Sequence, residues 1–376
     1  MLKITTRTAR ATVSAALLLG AVTTASADDG ITTTFSGYGT LGGTFTSNTH
    51  YAYIHDPTEF TGASGQFDVP LESRLGLQAV VDFGGTGFSV TAQELARERG
   101  STDFSLGTEW LYMQYAPDSD WKFRLGRVVV STFLLSDSRN VGYAAPWFRA
   151  PNEVYSSESI QSLDGGQVLW SKNLGPIGLG LQGSFGSAKE DYLVQSNNTV
   201  SSLTIKNMYN VSASLTYQNL LLRMSQTILD VPTSIPLGPY TANFAIKDKF
   251  RTIGLQYDDG SAIVLTEFAR RTDNNVPLIN ETVSDNKQWY AAGGWRFGKL
   301  TPMVIYGNYT TKPSLANTYG DFGTWSASLR YDVVRNIALK AQVSRPQAGN
   351  GAYWLVPNNT TNERINVISL GADFVF

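Results

Sequence analysis

The chain has 376 residues and a formal net charge of −2, and its charged share of 16% lies well under the roughly 25% of average soluble proteins. It holds no Cys, which excludes disulfides, thiolate metal sites and cysteine catalysis. Its two His argue against a His-rich metal centre. The near-neutral charge offers no electrostatic case for nucleic acid, and a mean hydropathy of −0.14 is too polar for a bundle of membrane helices.

Residues 1–27 read as a secretory leader: a basic start of Lys3, Arg7 and Arg10, an apolar run from Ala11 to Val22, and a small-x-small cleavage site at Ala25-Ser26-Ala27. The apolar run is too short to span a bilayer as a helix, and no later run approaches 18 apolar residues. The predicted organisation is therefore a leader at 1–27 and one body at 28–376.

From there the chain alternates with a period of two. Leu75, Leu77, Ala79 and Val81 alternate with Arg74, Gln78 and Asp82. Trp121, Phe123 and Leu125 alternate with Lys122 and Arg124. The same holds for Val211–Tyr217, Leu220–Met224, Ile253–Tyr257, Trp325–Tyr331 and Ile337–Val343. Neighbours in a strand point to opposite faces, so each segment has one apolar and one wet face. Short breaks fall at Gly84-Gly85, Pro117–Asp120, Asn173–Pro176, Gln218-Asn219, Asp258–Gly260, Gly298-Lys299 and Asp332–Asn336, with turn-forming residues. Long breaks alternate with them, at about 43–69, 98–107, 131–164, 187–203, 229–247, 271–286, 311–322 and 346–363.

Seven short turns and eight long loops connect 16 strands, which is the wiring of an outer-membrane barrel. Phe83, Tyr115, Tyr217, Tyr257, Phe297 and Tyr331 each end an apolar face just before a short turn, and Phe376 does so at the chain end; the strand near Trp170 departs. A headgroup-level aromatic girdle produces this placement. A soluble β-sandwich also alternates, but has no reason to end every second strand on an outward aromatic. An all-β chain can cross hydrocarbon only as a closed barrel, because every backbone polar group must be bonded within the protein. Sixteen strands enclose more space than short side chains fill, so a water-filled lumen is expected. The fold class read from the residues is thus all-β, a 16-stranded antiparallel transmembrane barrel with short periplasmic turns and long extracellular loops.

The leader, the Gly37-Tyr38-Gly39 first strand, the Arg74-Leu75-Gly76 second strand, the long segment after Leu125-Gly126-Arg127, and a last strand alternating Ile368, Leu370, Ala372, Phe374 and Phe376 together resemble the general porins of Gram-negative outer membranes. The resemblance covers essentially the whole body. It implies passive diffusion of small hydrophilic solutes and ions, outer-membrane lipid and lipopolysaccharide as surroundings, a homotrimer, and recognition of the Phe376 strand by the barrel-assembly machinery. It implies neither enzymatic activity nor a cofactor or metal. It also implies that the third loop, 131–164, folds into the lumen as a constriction.

That loop carries Asp137, Arg139, Arg149, Glu153, Glu158 and Asp164, with Tyr143, Trp147, Phe148 and Tyr155. Charges in a narrow passage set ion selectivity by Coulomb interaction. The expected constriction set is Arg74, Lys122 and Arg124 on the wall, facing Asp137, Arg139, Arg149, Glu153 and Glu158 on the loop. The loop departs from the family's Pro-Glu-Phe-Gly-Gly type, reading Ala145-Pro-Trp-Phe-Arg-Ala-Pro151 instead. Strand-borne charges lean basic and the loop acidic, so weak selectivity is expected, with its sign open.

Three other readings stay on the table. A substrate-specific channel for a sugar or small organic acid would use the loop aromatics as a guide. A hydrolase would have His50 and His55 as its imidazoles, without a partner spacing for a triad. An adhesion or receptor barrel would have a plugged lumen. Asp230, Asp273 and Asp285 are candidates for divalent ions in the loops.

Overall fold

The structure is a computed structural model, described here for residues 24–26, 30–47, 49, 52–55, 57–100, 102–194, 199–237, 240–273, 285–312, 321–346, 355–356 and 365–376. Sixteen antiparallel strands form one closed sheet. They are β1 (Thr32–Thr46), β2 (Arg74–Asp82), β3 (Phe88–Arg99), β4 (Thr102–Tyr115), β5 (Trp121–Val129), β6 (Ser162–Leu174), β7 (Ile177–Val194) and β8 (Thr199–Tyr217). The second half is β9 (Leu220–Leu237), β10 (Tyr240–Asp258), β11 (Ala262–Asp273), β12 (Asp285–Trp295), β13 (Leu300–Thr311), β14 (Phe322–Val334), β15 (Ile337–Pro346) and β16 (Val367–Val375). Each pairs with its neighbours in sequence, and β16 closes on β1 from Val367↔Thr46 to Val375↔Tyr38. Closure removes the free edges that hydrocarbon would not tolerate.

The seven short turns fall where the breaks in alternation place them. In the turn between β8 and β9, Gln218 takes φ +49°, the backbone that a two-residue hairpin requires. Three of the long breaks differ from expectation. The breaks at 98–107, 187–203 and 229–247 are mostly strand, so β7 to β10 run 18–19 residues. Pro232 and Pro236 lie within 229–247. Past Leu229, however, β9 has a paired neighbour on one side only, where a proline at alternate positions forfeits no ladder bond. Those hairpins stand well beyond the roughly 9–11 residues a strand needs to cross.

Outward positions form an apolar exterior. Leu41, Leu75, Leu77, Leu125, Leu181, Val211, Val304 and Leu339 are all exposed. Phe83, Tyr115, Tyr217, Phe297 and Tyr331 are exposed at the short-turn rim. Phe104, Phe185, Tyr209, Trp289 and Trp325 are exposed nearer the other rim. At the seam the Gly37 and Phe376 backbones exchange two hydrogen bonds, 2.8 and 2.9 Å, and the Phe376 ring lies over Gly37. A Cβ on Gly37 would meet that ring at 2.3 Å, which gives the glycine of the first strand its physical reason.

The segment expected to be a leader, 1–27, lies outside the described residues except for Thr24–Ser26, whose backbone pairs with Thr32–Thr34 of β1. His50 also lies outside them.

Candidate functional site

The segment 130–161, between β5 and β6, folds into the barrel. Short turns of helix at Ser136–Ser138, Gly142–Ala144 and Asn152–Tyr155 break it into a plate. The plate is seated on one arc of the wall. Leu134 N–H donates to Glu267 of β11 at 2.8 Å, and Thr132 O accepts from Thr252 of β10 at 2.7 Å. Lys340 of β15 donates to the Gly142 and Ala145 carbonyls at 2.6 and 2.7 Å, and Arg330 of β14 donates to those of Tyr143 and Ala145.

The inward face of that arc is not wet. Ile263, Leu265 and Ala269 of β11, Tyr290 and Ala292 of β12, and Met303 and Ile305 of β13 join loop residues Phe133, Leu134, Trp147, Val154 and Tyr155 in one buried cluster. Along β11 to β13 the lumen is thus a packed core. Glycines on the wall act as sockets. Phe148 sits over Gly42 and Gly371, where an added Cβ would approach its ring to 2.9 and 2.7 Å. Glu153 sits over Gly307 in the same way.

Within this arrangement the expected constriction residues separate into two groups. Arg149, Glu153 and Glu158 are buried (8%, 1% and 6% exposed) on the wall side of the plate, and so do not line a passage as expected. Arg149 pairs with Glu72 and donates to Tyr53 Oη at 2.9 Å, Thr44 Oγ1 at 2.7 Å and Ser369 Oγ at 2.8 Å. Its backbone N–H reaches Gln342 at 3.1 Å. It is a clamp joining the third loop, the first loop and the wall. Burial pushes the Glu153 carboxyl up to about 7, and raises that of Glu158, whose oxygen accepts from Ile160 N–H at 2.9 Å. The sequence does not reveal these burials, because the same charges would look identical on a solvated loop.

The second group faces the other arc. Arg74 on β2 and Lys122 and Arg124 on β5 point inward, as their phase requires. Arg124 donates to Gln114 at 2.8 Å and Gln167 at 3.1 Å and lies 4.7 Å from the Tyr112 ring centroid. Lys122 is exposed. The plate's free edge, 136–141, approaches Tyr38, Gln93, Glu109 and Trp110 and carries Asp137 and Arg139. Asp137 is half-exposed and accepts from Arg223 at 3.0 Å. Arg139 donates to the carbonyls of Glu158 and Tyr155 at 3.1 and 2.6 Å.

Sequence reasoning missed several lumen residues. Arg97 and Arg99 of β3 and Glu109 of β4 also point inward. Arg97 stands directly across from Arg74, and Arg99 pairs with Glu109. Continuing the alternation of β2 through β3 would have found Arg97. Glu109 sits at a bulge, where the phase slips. Asp164 is not a lumen residue: it lies outward on β6, in a bidentate pair with Arg127 at 2.7 and 2.8 Å. Trp147, Phe148 and Tyr155, the loop aromatics that a substrate-specific channel would use as a guide, are packed away, 1%, 4% and 3% exposed. Asp230 pairs with Lys247, and Asp285 with Arg270 and Lys312. His55 sits between Glu59 (3.1 Å) and Glu72 (3.4 Å). Among the described residues no serine hydroxyl bonds its ring.

No protein-family model matches the chain, and no curated protein matches its sequence. Solved structures do match its shape. An anion-selective porin from Comamonas acidovorans superimposes with a TM-score of 0.60 at 12% identity, covering 92% of this chain and 100% of that one. The outer membrane channel DcaP of Acinetobacter baumannii gives 0.58 at 13% identity, with 94% and 99% covered. Salmonella typhi OmpF, in complex with daunomycin, gives 0.55 at 12%, with 94% and 100% covered. The fold is porin-like.

Proposed function

We propose that the protein is a non-enzymatic diffusion channel of the outer membrane, passing small hydrophilic solutes and ions between the plate of the third loop and the arc from β2 to β8. One observation carries this reading. That arc presents inward Gln78, Gln93, Gln114, Arg124, Gln167, Ser184, Asn210 and Ser212 beside a buried apolar cluster of Tyr112, Val128, Leu163, Ile205 and Met208, whereas on β11 to β13 the face the third loop covers is largely apolar. The roles at the passage are then Arg74, Lys122 and Arg124 as wall charges, Asp137 and Arg139 at the loop's edge, and Arg149, Glu153 and Glu158 as anchors of the loop. Planar-bilayer recording of the purified protein tests the reading: discrete open-channel steps are expected, and a silent bilayer sinks it. The substrate-specific alternative, for a sugar or small organic acid, predicts saturable block by one solute of a panel.

Export through the 1–27 leader and delivery of the Phe376 strand to the assembly machinery belong to the same proposal, as does contact with lipid and lipopolysaccharide. So does a homotrimer, which one outward patch supports. Arg127, Asp164 and Thr108 line a hollow floored by Gly126 and Gly165, and Glu94 accepts from Thr108 beside it. Phe104 and Leu106 lie above this patch on β4, and Leu111 and Met113 below. A charge at hydrocarbon depth costs about 2–4 kcal/mol if lipid covers it; a neighbouring copy of the chain would remove that cost. Cross-linking in native membranes is expected to capture three copies, and Arg127→Leu/Asp164→Leu to alter the yield.

A further inference from the structure

We propose that the passage prefers anions, small carboxylates and phosphates included, and that Arg74, Lys122 and Arg124 set this preference. The inference rests on the channel reading and adds the charge class of its solutes. The sequence leaves the sign open because the basic strands and the acidic third loop nearly cancel. Folding breaks that balance.

The acids of the loop are withdrawn one by one. Glu153 and Glu158 are buried against the wall, away from the passage. Asp137, at the loop's edge, is held by Arg223 at 3.0 Å. On the wall, Glu109 is held by Arg99, and Asp373 by Lys340 Nζ at 2.8 Å and Thr40 Oγ1 at 2.5 Å; Asp82, at the short-turn end of β2, stays exposed and accepts from Gly84 N–H at 2.9 Å. Asp164, the remaining acid at the end of the loop, is on the outside of the barrel with Arg127.

The bases of β2 and β5 are not withdrawn in the same way. Arg124 donates to two neutral amides, Gln114 and Gln167, which fix the guanidinium without cancelling its charge. Arg74 reaches Thr40 Oγ1 at 3.4 Å, the hydroxyl that also donates to Asp373, so it shares that carboxylate's field with Lys340; Arg97 stands directly opposite on the next strand. Lys122 is exposed below Arg124 on the same face of β5.

Arg74 lies at the long-loop end of β2, and Lys122 and Arg124 lie near the short-turn end of β5, so an ion meets them at different depths. One fixed positive charge about 7 Å from an ion in water, with a Debye length of about 8 Å, favours a monovalent anion over a cation about twofold, and two together about fivefold. At 1 M salt the Debye length falls to about 3 Å, and the same charges leave a ratio under about two.

The test is the reversal potential of the reconstituted protein in a potassium chloride gradient, first near 0.1 M and then near 1 M. A chloride-to-potassium permeability ratio of about five at low salt, falling toward one at high salt, is expected. Arg124→Gln should lower the low-salt ratio about two- to threefold, and Arg74→Gln/Lys122→Gln/Arg124→Gln should bring it near one. Folding of each variant is checked by heat-modifiable migration in detergent gels and by continued single-channel steps. If the triple variant does not fold, the three single variants carry the test, each expected to shift the ratio in the same direction. A cation-directed or zero reversal potential in the wild-type protein overturns the inference, as does a ratio that the substitutions leave unmoved. Either result would leave the channel reading intact, whereas absence of any steps would remove that reading itself.

Discussion

Arg149 gathers more structural consequence than any other loop residue. Its guanidinium lies 4.7 Å from the centroid of the Tyr53 ring, pairs with the buried Glu72, and reaches β1 and β16. Arg149→Ala would leave Glu72 buried with His55, at 3.4 Å, as its remaining basic neighbour. The expected loss is about 3–5 kcal/mol, read as a lower denaturation midpoint in detergent, and it should be smaller in the Arg149→Ala/Glu72→Ala double variant. Equal losses in both would show that the pair carries no such coupling. Glu153 makes a pH prediction. Its carboxyl is raised from 4.5 to about 7 by burial, so seating of the loop is complete below pH 4.5. It weakens as pH climbs toward 7, by about 1.4 kcal/mol per unit, since only the unseated loop ionises freely there. Open-channel noise should therefore be greater at pH 8 than at pH 4.5, with a shallower dependence in Glu153→Gln. An unchanged dependence in that variant would assign it to other groups, Glu158 first.

At the scale of elements, the third loop behaves as a packed subdomain rather than a strap. It buries an apolar face against β11 to β13 and plugs Phe148 into the recess made by Gly42 and Gly371. Gly371→Leu would fill that recess, at a cost of about 1–3 kcal/mol from overpacking. Higher single-channel conductance from an unseated loop is the expected readout, with the barrel still formed; unaltered conductance would mean the ring does not hold the loop. The first loop contributes as well. Tyr53, Ile54, Ala63 and Leu71 pack on Tyr309, Phe322, Ile365 and Val367, and deliver Glu72 to the clamp. The length of this loop is legible in the sequence, but its role is not, because alternation says nothing about where a segment without a period will fold.

The whole molecule depends on closing the ring. Where β16 meets β1, Phe374 and Phe376 lie over Gly39 and Gly37. Gly37→Leu keeps the terminal aromatic but removes its seat, so it separates closure from recognition of the chain end. Loss of the compact, heat-modifiable band is expected in refolding from denaturant, where no assembly machinery acts; a normal band would show the seam tolerates the side chain. The cost is again about 1–3 kcal/mol, concentrated at the one junction on which every other pairing relies.

The alternation of Leu75–Val81 or Trp325–Tyr331, the turn residues and the rim aromatics determined the barrel, its strand number and its inside-out polarity. These are local consequences of a period-two chain beside hydrocarbon, and each can be read without knowing what lies across the lumen. What only the tertiary structure decided is the content of that lumen. Ile263, Leu265, Met303 and Ile305 sit on inward phases that a water-filled barrel would make polar, and they are dry because Trp147 and Tyr155 arrive from a loop more than a hundred residues away. Arg149, Glu153 and Glu158 change from passage charges to anchors by the same long-range contact. Charge in a sequence has a sign but no neighbours, and it is the neighbours, buried carboxylates on one side and neutral amides on the other, that decide which charges a passing solute meets.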